Sequence, residues 1–346
     1  MQNNVIIFGG VFDPPHLGHL SIYKAVIKHL NVAKFIIVPS KNPPLKLHQP
    51  IAKPIDRINM TKQMFGQYKN VEVNGYEALQ KSNKISYTID TLRYFHKKYP
   101  KAQLSIVVGT DRYIDFKQWK NWQTILKLTK LIVVKRSNEK TNSTIPATFI
   151  TINPIPTSSS SLRLVPNTKY LDKHVSTYIA SHGLYISNQI KPIMSKKRYE
   201  HTLRVTKLVV ELAKVINKKL VDSVYIAAMY HDVAKEFTDQ QVLSLVGKYD
   251  HQRFPTVHTL HGVASAQYVK RFFNIQNKSI LNAIANHVVP NKNPSMLDMI
   301  LYCADKLEPG RSKDDVSDIN GYISLAKHNL KSAFAKLYKE TNAHYN

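Results

Sequence analysis

The spacing of apolar residues changes once along this chain, near its midpoint. As far as Ile152, short apolar runs rich in Val and Ile alternate with stretches of helical spacing. Asn4–Phe8, Lys34–Pro39, Val71–Val73, Gln103–Gly109, Leu131–Lys135 and Thr148–Ile152 read as strands. Leu17–Leu30, Asp56–Gln67 and Tyr87–Lys98 read as helices, the last with Ser86 as its N-cap. Strands that alternate with helices predict an α/β fold with a parallel sheet. After Tyr185 only the helical spacing continues, through Tyr199–Asn217, Val221–Lys235, His261–Phe273, Lys278–His287 and Ser295–Leu307. That predicts an all-α second part. Two domains follow, 1–188 and 189–346, with the change near Ser187–Met194. The length of 346 residues agrees, since compact units usually run to about 100–200 residues.

Composition narrows the function classes. The net charge is +26, but the lysines are spread from Lys24 to Lys339 and never run longer than a pair. A scattered lysine-rich surface, with no aromatic-rich RNA-binding signature, argues against a specific nucleic-acid partner and still favours polyphosphate ligands. Cys303 is the one cysteine, which excludes an internal disulfide or a cysteine-rich zinc site and suits a reducing cytoplasm. No apolar stretch approaches the roughly 18 residues of a membrane span, and the start, MQNNVIIFGG, lacks the pattern of a secretory leader. No membrane partner is expected, and a homo-oligomer is compatible with the sequence.

The first strand runs into Gly9-Gly10-Val11-Phe12-Asp13-Pro14-Pro15-His16-Leu17-Gly18-His19. Glycines at the carboxyl end of a strand let backbone approach a nucleotide closely, and amides at a helix start favour phosphate. His16 and His19 are three apart, so at a helix start they share a face. The spacing is neither the dinucleotide fingerprint nor a P-loop. The rival reading of this segment taken alone, a tight turn with two surface histidines, is the weaker of the two.

The segment is followed in order by Pro39-Ser40-Lys41-Asn42-Pro43-Pro44-Leu45-Lys46, Ser86-Tyr87-Thr88-Ile89-Asp90-Thr91-Leu92, Gly109-Thr110-Asp111 with Trp119 and Trp122, and Ser158-Ser159-Ser160-Ser161-Leu162-Arg163. From about Asn4 to Tyr185 the chain resembles the bacterial nicotinate mononucleotide adenylyltransferases, a Rossmann-like nucleotidyltransferase family. The phosphopantetheine adenylyltransferases share the H-x-G-H element but lack the S-Y-T-x-D-T-L and W-x-x-W segments. The resemblance implies ATP binding by Gly9, Gly10, Phe12, His16, Gly18, His19, Lys46, Ser159, Ser160 and Arg163, with Mg2+ travelling with the ATP. His16 and His19 would be catalytic, and Asp13, Tyr87, Thr88, Asp111 and Trp119 would form the mononucleotide pocket. Such transfers depend on positioning and charge stabilisation rather than on a protein nucleophile. Val11, Ser160 and Leu45 depart from the family's usual Thr or Ser, Thr, and His.

The helical part holds His201, His231-Asp232, His261, His287 and Asp305. Imidazole and carboxylate together suit iron, manganese or zinc. His231 and Asp232 are expected on one helix, with Lys235 on their face. Asp232 and Asp305 lie in apolar surroundings, where an unpaired carboxylate is costly; a metal or a lysine salt bridge would each satisfy them. The order H…HD…H…H…D resembles the HD phosphohydrolase superfamily. Arg198-Tyr199-Glu200-His201-Thr202, His231 through Glu236, His261-Gly262 and Ala304 through Arg311 are closest to its symmetrical diadenosine tetraphosphate hydrolases. That resemblance, over about Ile190 to Lys336, implies an HD-domain helical bundle with two divalent metals, iron or manganese. His201, His231, Asp232 and Asp305 would hold one; Asp232, His261 and His287 would hold the other. Lys235, assigned a catalytic part, and Arg311 would face phosphate, and His258 is an alternative ligand. Val288 stands where the family commonly has Thr. The expected function is bifunctional: AMP transfer from ATP to nicotinate mononucleotide, and cleavage of diadenosine tetraphosphate to two ADP. The alternative is an HD part that acts on another nucleotide or serves as a non-catalytic regulatory module.

Overall fold

The computed structural model describes residues 4–41, 52–80, 85–137, 139, 144–164, 168–310 and 316–343. The chain divides into two compact units, Met1–Arg163 with Asn167–Tyr178, and Leu164–Pro166 with Ile179–Asn346.

Six strands form the sheet of the first unit: β1 (Asn4–Gly10), β2 (Lys34–Pro39), β3 (Val71–Val73), β4 (Gln103–Gly109), β5 (Lys130–Arg136) and β6 (Thr148–Ile152). Their order is β3-β2-β1-β4-β5-β6 and every pairing is parallel. Strands covered on both faces read as unbroken apolar runs rather than alternating ones. Accordingly Phe35, Ile36, Ile37 and Val38 of β2 are all 0% exposed. Each such side chain contributes about 1.5–3 kcal/mol by burial. The strand order reverses between β1 and β4. Ligands of open α/β sheets bind outside the carboxyl ends of the strands at such a switch point. Gly9-Gly10 ends β1 there, and Gly109 ends β4 with Thr110-Asp111 directly after it.

The helix expected from Tyr87 begins at Thr88 and ends at Lys98, and Ser86 does not cap it. Tyr87 holds the N-cap position with no side-chain bond, and the buried Ser86 hydroxyl has no hydrogen-bond partner. Backbone geometry overrode the local preference of serine.

The described residues of the second unit form helices and turns without a strand. Lys196–Ile216 is the longest helix, with Ser195 as its N-cap. Val221–Tyr230, His261–Phe272, Lys278–Asn286 and Met296–Leu307 pack with it around Val205, Val209, Leu212, Ile284, Ile300 and Leu301. Ile186 and Ile190, from helix Ile186–Ile190, are buried in this same core, so residues on either side of position 188 share it. The expected helix through Lys235 is not continuous. It stops at Tyr230, and residues 231–236 form consecutive turns. Val233 N–H donates to Tyr230 O and Lys235 N–H to Asp232 O, both three residues back. Ala234 N–H donates instead to Ser265 Oγ at 3.1 Å. That tertiary bond takes an amide the helix would have needed. No described helix is long and apolar enough to cross a membrane.

Candidate active sites

In the first unit, His16 is the N-cap of helix Leu17–His29. Its Nδ1 accepts the Gly18 N–H at 3.1 Å, and His19 Nδ1 accepts the His16 N–H at 3.1 Å. A ring nitrogen that accepts an N–H is unprotonated, so each neutral ring carries its proton on Nε2. The two rings lie 4.0 Å apart, with Phe12 4.9 Å from His19. A Cβ on Gly18 would stand 2.9 Å from the His16 ring, so only glycine fits there. Burial, and then the charge of Arg136, lowers the His16 pKa to about 4. His16 is therefore a neutral hydrogen-bond donor at neutral pH.

Ser159, Ser160 and Arg163 lie on helix Ser159–Leu164 and reach the same loop. Ser159 Oγ donates to Pro14 O at 2.8 Å, and Arg163 Nη1 donates to Asp13 O at 2.6 Å. Asp13 is wholly buried; its carboxylate accepts Ala52 N–H at 3.0 Å and pairs with Arg163 at 3.4 Å. Asp13 and Arg163 thus join two segments 150 residues apart. Asp111 presents an exposed carboxylate, 80% accessible, just past β4. Trp119 packs on Phe116 at 5.1 Å and is half-buried. The Lys120 ammonium sits 4.1 Å over the Tyr87 ring. Lys46 lies outside the described residues.

Sequence reasoning missed Arg57. It is fully buried, and its guanidinium donates to the carbonyls of Val11 (2.8 Å), Ser40 (2.5 Å), Lys41 (3.4 Å) and Ala52 (3.2 Å). It ties the loop after β1 to the chain leaving β2. An arginine among the buried positions Ile58, Met60 and Thr61 of an amphipathic helix was the available signal.

In the second unit the six expected ligands converge. Asp232 Oδ2 lies 3.6 Å from both His201 Nε2 and His231 Nε2, while its Oδ1 lies 3.3 Å from both His261 Nε2 and His287 Nε2. Asp305 Oδ1 is 3.1 Å from His201 Nε2 and 3.7 Å from His231 Nε2. Three rings are anchored by the same device. His231 Nδ1–H donates to Ala228 O (2.6 Å), His261 Nδ1–H to His258 O (2.7 Å) and His287 Nδ1–H to Ile284 O (2.7 Å). His231 and His287 are helix C-caps, where last-turn carbonyls lack intrahelical partners. A carbonyl only accepts, so the proton sits on Nδ1 and the Nε2 lone pair faces the carboxylates. The fourth ring, His201, places Nδ1 3.1 Å from Glu308 Oε1.

Lone pairs facing carboxylate oxygens repel unless a proton or a cation lies between them. The Nε2 atoms of His201 and His231 are buried and make no hydrogen bond. His201, His231 and Asp305 offer ligand atoms within 4.8 Å of one another, as do His231, Asp232 and His287. These residues fit divalent cations. Burial pushes Asp232 upward, but the surrounding imidazoles, His231 first, hold it well below the usual carboxylate range. Burial likewise opposes Asp305, yet the Lys306 charge beside it holds it well below the usual carboxylate range. Burial lowers His287 to about 4.

Lysine pairing and metal ligation, posed as alternatives by the sequence, use different oxygens of Asp305. Lys306 takes Oδ2 at 3.1 Å and leaves Oδ1 to the histidines. Arg198, which sequence reasoning quoted without a role, donates to Asp232 Oδ2 at 2.6 Å. Lys235 Nζ stands 3.2 Å from His258 Nε2 and 3.4 Å from His261. Burial lowers the Lys235 pKa. Arg311 lies outside the described residues.

Residues 7–182 match the cytidylyltransferase-like family and residues 198–310 match the HD domain. The chain is 33% identical over 344 residues to a Mycoplasma genitalium protein named as a probable nicotinate-nucleotide adenylyltransferase/Ap4A hydrolase, covering 96% of each. It is 29% identical over 337 residues to a Mycoplasma pneumoniae protein of the same name, covering 95% of this chain and 96% of that one. Among solved structures it is similar to Plasmodium falciparum nicotinic acid mononucleotide adenylyltransferase complexed with APC. There the identity is 21%, the coverage 53% of this chain and 98% of that one, and the TM-score 0.43.

Proposed function

The chain belongs to the family of proteins that join a cytidylyltransferase-like domain to an HD domain, and we propose on that premise that it is a bifunctional nucleotide enzyme. The first unit transfers AMP from ATP to nicotinate mononucleotide. A phosphate oxygen of the mononucleotide attacks the α-phosphorus, the bond to the β-phosphate breaks, and pyrophosphate leaves. His16 and His19 direct Nε2–H donors at the polyphosphate as its charge grows, and the helix carrying Ser159, Ser160 and Arg163 adds donors and charge. Asp111, Tyr87, Thr88 and Trp119 bound the mononucleotide pocket. Magnesium enters with the ATP and shields its phosphates.

The second unit hydrolyses diadenosine tetraphosphate. Water attacks a phosphorus beside the central bridging oxygen, that bond breaks, and two ADP result. Divalent cations, iron or manganese, would be held by His201, His231, Asp232 and Asp305 and by Asp232, His261 and His287, and would lower the pKa of water and neutralise phosphate charge. Lys235 and Arg198 lie where they can hold a phosphate oxygen. The single observation that carries this reading is Asp232, each of whose oxygens faces its own pair of imidazoles. Cys303 is buried and its thiol is pushed up to about 12 by burial. It needs no oxidising compartment, and we place the enzyme in the cytoplasm.

The test uses the whole chain. With ATP, magnesium and nicotinate mononucleotide, dinucleotide and pyrophosphate should appear in equal amounts. With diadenosine tetraphosphate and iron or manganese, ADP should be the sole product. AMP plus ATP would overturn the regiochemistry. No turnover with any of several metals would leave the HD part as a binding module.

A further inference from the structure

His201 is held differently from the other three imidazoles of its cluster. His231, His261 and His287 each rest on a carbonyl three residues back, at a helix end or in a turn. His201 is the sixth residue of helix Lys196–Ile216. Carbonyls there are engaged by the helix itself, so its ring needs an acceptor from elsewhere. The acceptor is Glu308, 107 residues further on and 2% exposed. Glu308 is itself fixed: Arg204 Nε donates to its Oε2 at 2.5 Å and Gly310 N–H to the same oxygen at 2.7 Å. A Cβ on Gly310 would stand 2.6 Å from the Arg204 guanidinium, so a larger residue there would push the arginine aside.

We propose that Glu308 is the positioning residue of one of the two cation positions, acting through His201, and that Arg204 and Gly310 hold it in place. The proposal rests on the two-cation reading of the second unit. A carboxylate behind an imidazole fixes the proton on Nδ1, turns the Nε2 lone pair inward and strengthens it as a donor. Glu308 acts on His201, Asp305 and Asp232 Oδ2. Among the described residues its polar partners are His201, Arg204 and Gly310, so the position that His261 and His287 form with Asp232 Oδ1 does not depend on it. Glu308 also closes the turn after helix Met296–Leu307, which carries Asp305, onto the helix that carries His201.

The full chain, stripped with chelator, is titrated with Mn2+ alone and free ion is followed by its spin-resonance signal. The wild type should bind two ions per chain. Glu308→Gln keeps an acceptor but removes the charge. It should weaken one ion about tenfold to a hundredfold and leave the other within threefold, so that limiting Mn2+ loads a single site. Glu308→Asp should recover part of the loss, which a packing defect would not. Arg204→Gln should weaken the same ion by a smaller factor, and it decides the matter if Glu308→Gln does not fold. Equal weakening of both ions, or no weakening, overturns the proposal and leaves the hydrolase reading standing. A wild type that binds no Mn2+ overturns both.

Discussion

His16 and His231 carry their ring protons on opposite nitrogens. His16 Nδ1 accepts an N–H from Gly18, whereas His231 Nδ1 donates to the Ala228 carbonyl. The consequence is chemical: His16 offers an Nε2–H donor, suited to phosphate oxygens, and His231 offers an Nε2 lone pair, suited to a cation. Helix position decides which. His16 precedes a helix, where amides lack partners, and His231 follows one, where carbonyls do. One residue type thereby presents a donor in one unit and a lone pair in the other, as the two proposed reactions require.

The two roles of His16 can be separated. Asn is a good N-cap and can still accept the Gly18 amide, but it lacks the Nε2–H donor. His16→Asn should leave stability unchanged while adenylyl transfer falls roughly a hundredfold, as when an oxyanion donor is lost. His16→Ala should lose both, with about 1 kcal/mol less stability. Denaturant midpoints and pyrophosphate release read the two effects. Equal activity in His16→Asn and wild type would refute the donor role.

Asp232 is the residue on which the second site turns. Asp232→Asn keeps the shape and removes the charge that faces four imidazoles. Hydrolysis should fall by more than the roughly hundredfold that loss of an outer-sphere partner costs, while adenylyl transfer by the same preparation is unchanged. Measuring both reactions on one sample separates a site defect from general damage. Parallel losses in the two would mean the latter.

The sheet was legible because its strands are covered on both faces, which turns each into an apolar run that stands out from the amphipathic helices between. The histidines that cluster with Asp232 and Asp305 were legible by their order. Their orientation was not: it depends on backbone carbonyls and amides, which every sequence carries alike. The same blindness hid Arg57, which donates to the carbonyls of Val11, Ser40, Lys41 and Ala52, and extended a helix across His231–Lys235, because the bond from Ala234 to Ser265 is tertiary. Glu308 stood within a quoted motif, but its partner lies 107 residues away.

Glu72 gives the first unit an acid-sensitive contact. It lies on β3, an edge strand of three residues, and accepts from Lys34 (2.8 Å), Lys98 (3.1 Å) and Asn74 (2.7 Å). Burial raises its pKa, but hydrogen bonds from Lys34, Asn74 and Lys98 outweigh that and bring it from 4.5 to about 2. A depressed carboxyl stabilises the fold fully above its unfolded pKa, and the contribution is lost as pH falls from 4.5 through about 2. Glu72→Gln should be less stable than wild type at pH 6, and the two stability curves should converge by pH 2. Curves that stay parallel would mean the contact contributes nothing.

Arg57 should matter to the fold more than any surface arginine. Arg57→Met keeps the bulk but leaves the carbonyls of Val11, Ser40, Lys41 and Ala52 without their buried donor. The bond to the Ser40 carbonyl is wholly buried and the other three are partly so; a buried polar group that loses its partner costs about 1–3 kcal/mol, and a loss of at least that size is expected. The readout is clean because the chain has two tryptophans, Trp119 and Trp122, both in the first unit. Their fluorescence should report a lowered unfolding midpoint for that unit. Arg57→Lys should recover little, since one ammonium cannot reach carbonyls that a planar guanidinium spans. Full recovery by lysine would show that the charge, rather than the fork of donors, holds the two loops together.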